Sequence, residues 1–249
     1  MSMSNIISIV SGKGGVGKTT FSVNLAAALN EFSRDNTVVD VDVGNPNLAL
    51  HLGLQHTPLA IQDVLNGDAK IHHTIHVHST GLRVIPASLS AKKSTADFSK
   101  LGKILSELQG IVLLDSPPGS GKDIVPILES SDTIIVITNP EVSAVTDAAK
   151  LIKLAKDMKK ESIGVVINRV RDDFFELTSD EVEIMCEAPI ISRIPEDSNI
   201  RKAVFENLPV LHRNPYSNAA IAFRHLAARL IGEEYVPPTF LFLRRILNR

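Results

Sequence analysis

Residues 12 to 19 read Gly12-Lys13-Gly14-Gly15-Val16-Gly17-Lys18-Thr19. Two glycines with four residues between them, then lysine and a hydroxyl residue, form the spacing of a phosphate-binding loop. Glycines let the backbone fold tightly around an anion with its N–H groups turned inward. Lys18 would set an ammonium against the β- and γ-phosphates of a nucleoside triphosphate, and Thr19 would offer a hydroxyl to Mg²⁺. The flanks agree with this chemistry. Ile6-Ile7-Ser8-Ile9-Val10 is a run suited to a buried strand, and residues 20–30 show helical spacing at Phe21, Val23, Leu25, Ala26 and Leu29.

Three carboxylates could complete such a site. Asp115 ends the apolar run Ile111-Val112-Leu113-Leu114, where an acid can hold Mg²⁺ directly or through water. Asp40 and Asp42 stand at i and i+2 of Val39-Asp40-Val41-Asp42 and so share one face of a strand. Both can approach a metal and its water shell; either could instead cap the following turn. Ser116-Pro117-Pro118-Gly119 reads as a sharp turn suited to sensing a γ-phosphate. Gly119-Ser120-Gly121-Lys122 lacks the first glycine spacing and reads as a turn only.

The elements that must position these groups alternate along the chain. Strand-like runs fall at residues 37–42, 82–85, 111–115, 133–138, 162–168 and 190–191. Helical spacing appears at residues 98–108, 141–158, 200–206 and 219–231. Apolar strands alternating with helices predict an α/β fold: a three-layer, doubly wound, mainly parallel sheet with helices on both faces. Ligands of such sheets bind beyond the carboxyl ends of the strands. That draws attention to Asp42, Asp115, Asn139 and Asn168.

The chain has 249 residues, a net charge of −2 and one cysteine. No linker-like segment interrupts it, so one ATPase-sized domain is expected over residues 1–234, with a tail over residues 235–249. The charge sets up no broad field for nucleic acid. Cys186 can form no internal disulfide and no cysteine metal cluster; it reads as a small buried hydrophobe. No signal peptide and no apolar run of about eighteen residues is seen, so a cytoplasmic location is expected. His72, His73, His76 and His78 could conceivably hold a metal, but no acid or cysteine cluster supports them and a solvated connection explains them as well.

The tail has its own pattern. Pro237-Pro238 stops the preceding helix, and Thr239 can cap a new one. At about 100° per residue, Phe240, Phe242, Leu243, Ile246 and Leu247 share one arc. Arg244, Arg245, Asn248 and Arg249 share the other, and only Leu241 breaks the division. A short basic amphipathic helix of this kind suits an anionic membrane interface. Ten residues are too few for a stable helix in water, so one tail should bind marginally and two tails on a dimer should gain avidity. Packing of the tail on its own domain or on a partner is the alternative.

Lys13 stands directly after the first glycine. The string Ser11-Gly12-Lys13-Gly14-Gly15-Val16-Gly17-Lys18-Thr19-Thr20 resembles the deviant loop of the MinD/ParA family of ATPases, a P-loop NTPase fold of the SIMIBI type. The likeness extends over nearly the whole chain in motif order. It implies that Lys13 reaches across a dimer to the partner's nucleotide, although a solvated loop lysine is the plainer reading. It also implies that Lys13, Lys18 and Asp42 are catalytic, with Asp42 orienting the attacking water, and that Thr19, Asp40 and Asp115 surround Mg²⁺, Asp40 in the outer shell. The phosphate cradle would run from Gly12 through Lys13, Gly14, Gly15, Val16, Gly17, Lys18 and Thr19 to Thr20. The Asn168 amide would contact adenine, as would the backbone of Pro195 and Glu196, while Asp197 caps a helix. Asn47 matches a family asparagine. Asp147 would be the resting partner of Lys13.

Asn168-Arg169-Val170-Arg171 lacks the acid with which GTPases read guanine, so ATP and ADP with Mg²⁺ are the expected cofactors. Pro118 departs from the family's Asp-x-Pro-Ala-Gly. The resemblance implies a homodimer, an anionic membrane surface and an unidentified activator or cargo protein as partners, peripheral placement on the inner face of the cell membrane, and a role in positioning the cell division site. A ParA-like DNA-partitioning ATPase is the alternative, and a metal-delivery NTPase a more distant one. Without paired cysteines, relatives that carry an iron–sulfur cluster across their dimer are set aside.

Overall fold

The computed structural model describes residues 4–54, 56–90, 97–240 and 244. Its strands are β1 (Asn5–Ser11), β2 (Asn36–Asp40), β3 (His76–Val77), β4 (Arg83–Ile85), β5 (Ile111–Pro118), β6 (Thr133–Thr138), β7 (Ile163–Val170) and β8 (Ile190–Pro195). They form one eight-stranded sheet in the order β3-β4-β2-β5-β1-β6-β7-β8. β3 pairs antiparallel with β4, and every other pairing is parallel. The expected doubly wound sheet is therefore present, with a short antiparallel edge.

Helices cover both faces: α1 (Lys18–Glu31), α2 (Leu48–His51), α3 (Ile61–Leu65), α4 (Leu101–Leu105), α5 (Val125–Glu129), α6 (Val142–Asp157), α7 (Ser179–Cys186), α8 (Ser198–Phe205), α9 (Val210–Arg213) and α10 (Asn218–Ile231). Alternate strand residues feed two cores. Val39, Leu114, Val136 and Val165 pack with α4 to α7 on one face. Val38, Leu113, Ile135 and Val166 pack with α1 and α10 on the other. α1 is buried on nearly every side from Phe21 to Leu29, as a helix clamped between sheet and neighbour must be. Its Phe21 ring lies 5.5 Å from that of Phe223 on α10.

Several boundaries differ from the sequence reading. β2 stops at Asp40, because the carboxylate of Asp40 turns back to accept backbone N–H groups of the next loop. The expected sharp turn at residues 116–119 is instead strand through Pro118, which pairs with Ser11. The turn falls at Gly119, at φ 102°, where its N–H donates to the Ser11 carbonyl at 2.8 Å. The β1–β5 register shifts between Ile9 and Ser11, and the Ser116 hydroxyl ties this irregularity to the Ile9 carbonyl at 2.7 Å.

After α10 ends at Gly232, in the left-handed region, the chain lies back on the body. Tyr235 meets Phe32 and His225 edge-on, and Glu233 pairs with Arg34 at 2.8 Å. Among the described residues no helix is long and apolar enough to cross a membrane.

Candidate nucleotide site

The phosphate loop joins β1 to α1 at the carboxyl end of the sheet. Gly12 is packed against α6 so closely that a Cβ there would lie 2.2 Å from the backbone of Asp147. Gly17 caps α1 at φ 98°, and a Cβ on it would sit 2.8 Å from Asn168 Nδ2. Both positions exclude any side chain, the second also on backbone grounds. The result is a bare cradle of backbone at the start of a fourteen-residue helix, a disposition suited to an anion.

The two lysines of the loop behave differently. Lys18 is buried, and its Nζ donates to Ser11 Oγ at 3.0 Å. Burial lowers its pKa, and the charges of Asp115 and Asp42 oppose that shift. Lys13 points out of the cradle. Its Nζ donates to Ser143 Oγ at 3.1 Å and lies 3.8 Å from Glu141, with about half of each side chain in solvent. The resting partner expected in Asp147 is therefore corrected to Ser143 and Glu141 at the start of α6. Asp147 instead pairs with Lys150 at 2.9 Å, because its backbone faces Gly12 and its carboxylate turns along the helix.

Asp115 lies at the centre of the site, fully buried. Burial pushes its pKa up to about 6, opposed by the hydroxyl of Thr19, the charge of Lys18 and the hydroxyl of Ser22. The Ser22 hydroxyl donates to it at 3.3 Å. Asp40 is its partner across β2 and β5. Burial and the neighbouring Asp115 raise the Asp40 pKa well above the ordinary value. The sequence places Asp40 in the outer shell of a metal; in the structure its oxygens accept backbone N–H groups of Asp42 at 3.1 Å, Asn47 at 3.2 Å and Leu48 at 3.1 Å. Asp40 thus anchors the loop that carries Asp42. Asp42 is half-buried, accepts the Asn45 N–H at 3.0 Å, and has a pKa raised by burial against the pull of Asn45 and Lys18.

Beside the cradle lies a cavity of about 450 Å³, lined by Gly17, Thr20, Asn168, Arg169, Pro195 and Glu196 among others. The expected base-contacting residues therefore share one wall with the loop. Asn168 also has a task the sequence did not disclose: its Nδ2 donates to the Val16 carbonyl at 2.7 Å and braces the loop. Asp197 caps α8 through the Asn199 N–H at 2.9 Å and accepts the Ala219 N–H at the start of α10 at 3.2 Å.

The chain matches the ParA family model, described as NUBPL iron-transfer P-loop NTPase, over residues 2–231. This protein belongs to the ParA family of P-loop NTPases. An uncharacterized ATP-binding protein of Methanocaldococcus jannaschii is 40% identical over 237 residues, covering 94% of this chain and 90% of that protein. The septum site-determining protein MinD of Thermotoga maritima is 32% identical over 243 residues, covering 93% and 89%. MinD from Pyrococcus horikoshii, solved as a complex with Mg-ADP, superposes with a TM-score of 0.84 at 33% identity, covering 92% of this chain and 96% of that one. The protein is a P-loop ATPase of the MinD type, with nucleotide and Mg²⁺ as cofactors.

The side chains of this ParA-family ATPase fit Mg²⁺ independently of its relatives. Buried Asp115 and the Thr19 hydroxyl beside it offer oxygen donors suited to a hard cation, while Asp40, alongside in the strand register, holds the adjoining loop. Iron transfer, named in the family description, finds less support. The lone cysteine, Cys186, is buried with its thiol pushed up to about 11. His76 and His78 are bonded to the Leu59 carbonyl and the Thr80 hydroxyl, and among the described residues no group of three or more His, Cys, Asp or Glu side chains could hold a metal. Sequence reasoning missed Ser11, Ser22, Glu141 and Ser143. Ser11 and Ser22 flank the motif by one and three residues, and that proximity is the one signal that could have flagged them.

Proposed function

We propose that this ATPase is a nucleotide-timed membrane switch. It binds Mg-ATP, dimerises, attaches reversibly to an anionic membrane surface through its tail, and hydrolyses ATP to ADP and phosphate when an activator or cargo protein engages it. The biological output is spatial positioning, with placement of the division site as the specific role.

The separation of the two lysines carries this reading. Lys18 is sequestered inside its own site, whereas Lys13 is exposed and held by one hydroxyl and one distant carboxylate. An exposed ion pair of that kind contributes about 0–1 kcal/mol, so Lys13 is readily released towards the nucleotide of a second copy. In that dimer the backbone from Gly12 to Thr20 binds the phosphates. Lys18 and the partner's Lys13 stabilise charge as the γ-phosphate leaves. Asp42 orients the attacking water and takes up its proton; its raised pKa suits that step. Thr19 and Asp115 hold Mg²⁺, and Asp40 keeps their neighbouring loop in place. The metal, when bound, neutralises phosphate oxygens. Asn168 and the backbone of Pro195 and Glu196 face the adenine.

The membrane step rests on the basic amphipathic pattern of residues 240–249. Phe240 is exposed, and Arg244 donates to Tyr216 Oη at 3.1 Å. Phe242, Leu243, Arg245, Ile246, Leu247 and Arg249 lie outside the described residues. Sedimentation with anionic liposomes tests it. ATP should carry the full chain into the pellet, ADP should not, and deletion of residues 240–249 should abolish the difference. Equal binding in both nucleotides would overturn the switch. Salt-sensitive, ATP-dependent binding to duplex DNA in place of liposomes would favour the partitioning reading.

A further inference from the structure

After a first shift between Val165 and Val166, β7 and β8 keep a parallel register from Val166 to Asn168, which pairs with Ile194; the next pair is Val170 with Pro195. Arg169 is the extra residue of a β-bulge. Its φ of 58° lies in the left-handed region that long side chains seldom adopt. Bulges re-aim side chains near functional sites, and this one aims an arginine at the phosphate loop. Its Nε and Nη2 both lie 3.9 Å from the place a Cβ would take on Gly17. Those two nitrogens form one edge of the guanidinium, the edge that can hold two oxygens of a single phosphate. Among the described residues no ion pair involves Arg169. A strained backbone and an unpaired, loop-directed guanidinium occur at one residue.

The position along the loop identifies the phosphate. Lys18 and the carboxylates occupy the deep end, where the β- and γ-phosphates belong. Gly17 and Thr20 border the cavity that also contains Pro195 and Glu196, the base end. A phosphate between them is the α-phosphate. We propose that Arg169 is a nucleotide-binding residue whose guanidinium grips the α-phosphate, and that the bulge exists to aim it there. The proposal rests on the nucleotide reading of the loop. It assigns Arg169 a role distinct from both lysines: they act on the group that is transferred, while Arg169 holds the part common to ATP and ADP. The residue therefore retains product as firmly as substrate and helps set the lifetime of the ADP state.

Isothermal titration of the full chain with Mg-ADP and with a non-hydrolysable ATP analogue tests this. Arg169→Ala should weaken both ligands by the same factor, about ten- to hundredfold for a lost bidentate charged contact. Arg169→Lys, which keeps the charge and loses the fork, should fall between. Arg171→Ala, in the same cavity wall, should lose less than about threefold. Melting of the ligand-free variants checks their folding, and Arg169→Lys carries the test if Arg169→Ala misfolds. Unchanged affinity in Arg169→Ala or Arg169→Lys, with wild type binding tightly, would overturn the proposal alone. So would a loss confined to the ATP analogue, which would move the contact to the γ-phosphate, or an equal loss in Arg171→Ala. Wild type that bound neither ligand would overturn the nucleotide reading itself.

Discussion

Asp115 titrates near 6 in the folded chain against an ordinary value of 3.8. An acid whose pKa rises on folding stabilises the fold while protonated; that contribution is complete below about pH 4 and is lost as pH rises through 6. Asp115→Asn cannot ionise. The ligand-free variant should therefore be more stable than wild type above pH 6, by on the order of 1–3 kcal/mol, and little different at pH 4. Thermal melts at the two pH values check this. The same change removes an oxygen from the metal site and should lower ATP turnover at every pH. Strain of this sort is typical of a site built for a cation: burial and then the charge of Asp42 raise the Asp115 pKa, burial and then Asp115 raise that of Asp40, and a bound cation reverses the effect of such like charges. The site's main residues were legible because the loop is local. Gly12 to Thr19 carries its chemistry in consecutive positions, and Asp115 ends an apolar run. Ser22 and Ser143 were not legible, since a serine becomes a site residue only through what the fold sets beside it.

Elements rather than single groups decide how the loops hold. Gly12 meets the backbone of α6, and backbone cannot step aside as a flexible side chain can. Gly12→Ala should displace α6 or the loop, at a cost of about 2–4 kcal/mol, measured by denaturant unfolding. Asp40 performs the equivalent task for the loop after β2. In Asp40→Ala the amides of Asp42, Asn47 and Leu48 lose their acceptor, and hydrogen exchange at those amides should speed by about tenfold or more. Unaltered exchange would remove Asp40 from its anchoring role. The long elements α1, α6 and α10 were readable from 3.6-residue spacing. Helices of four or five residues such as α2, α3 and α9 are shorter than two turns and carry no period to read. α7 was missed although Thr178 and Glu181 form a capping box, because its buried apolar face is only Val182 and Cys186.

For the whole molecule, the proposed dimer would bring two half-sites together. Each copy holds its own Lys18, Asp42 and Asp115 inward and presents Lys13 outward. A timer that depends on a partner's lysine runs only in the dimer, and a tail of marginal affinity binds well only in pairs. In the proposed switch, one nucleotide state would govern both assembly and attachment. The carboxyl-end location of the site was foreseeable from strand order alone. The direction of Lys13 was not, because it depends on α6 beginning at Val142 with Glu141 and Ser143 beside the loop. Lys13→Ala and Asp42→Ala should each bind ATP and each fail to hydrolyse it. Mixed in equal amounts, they should recover about a quarter of wild-type turnover, since half of randomly formed dimers are mixed and each mixed dimer has one complete site. A mixture as inactive as its components would show that Lys13 serves its own copy and would contradict the trans arrangement.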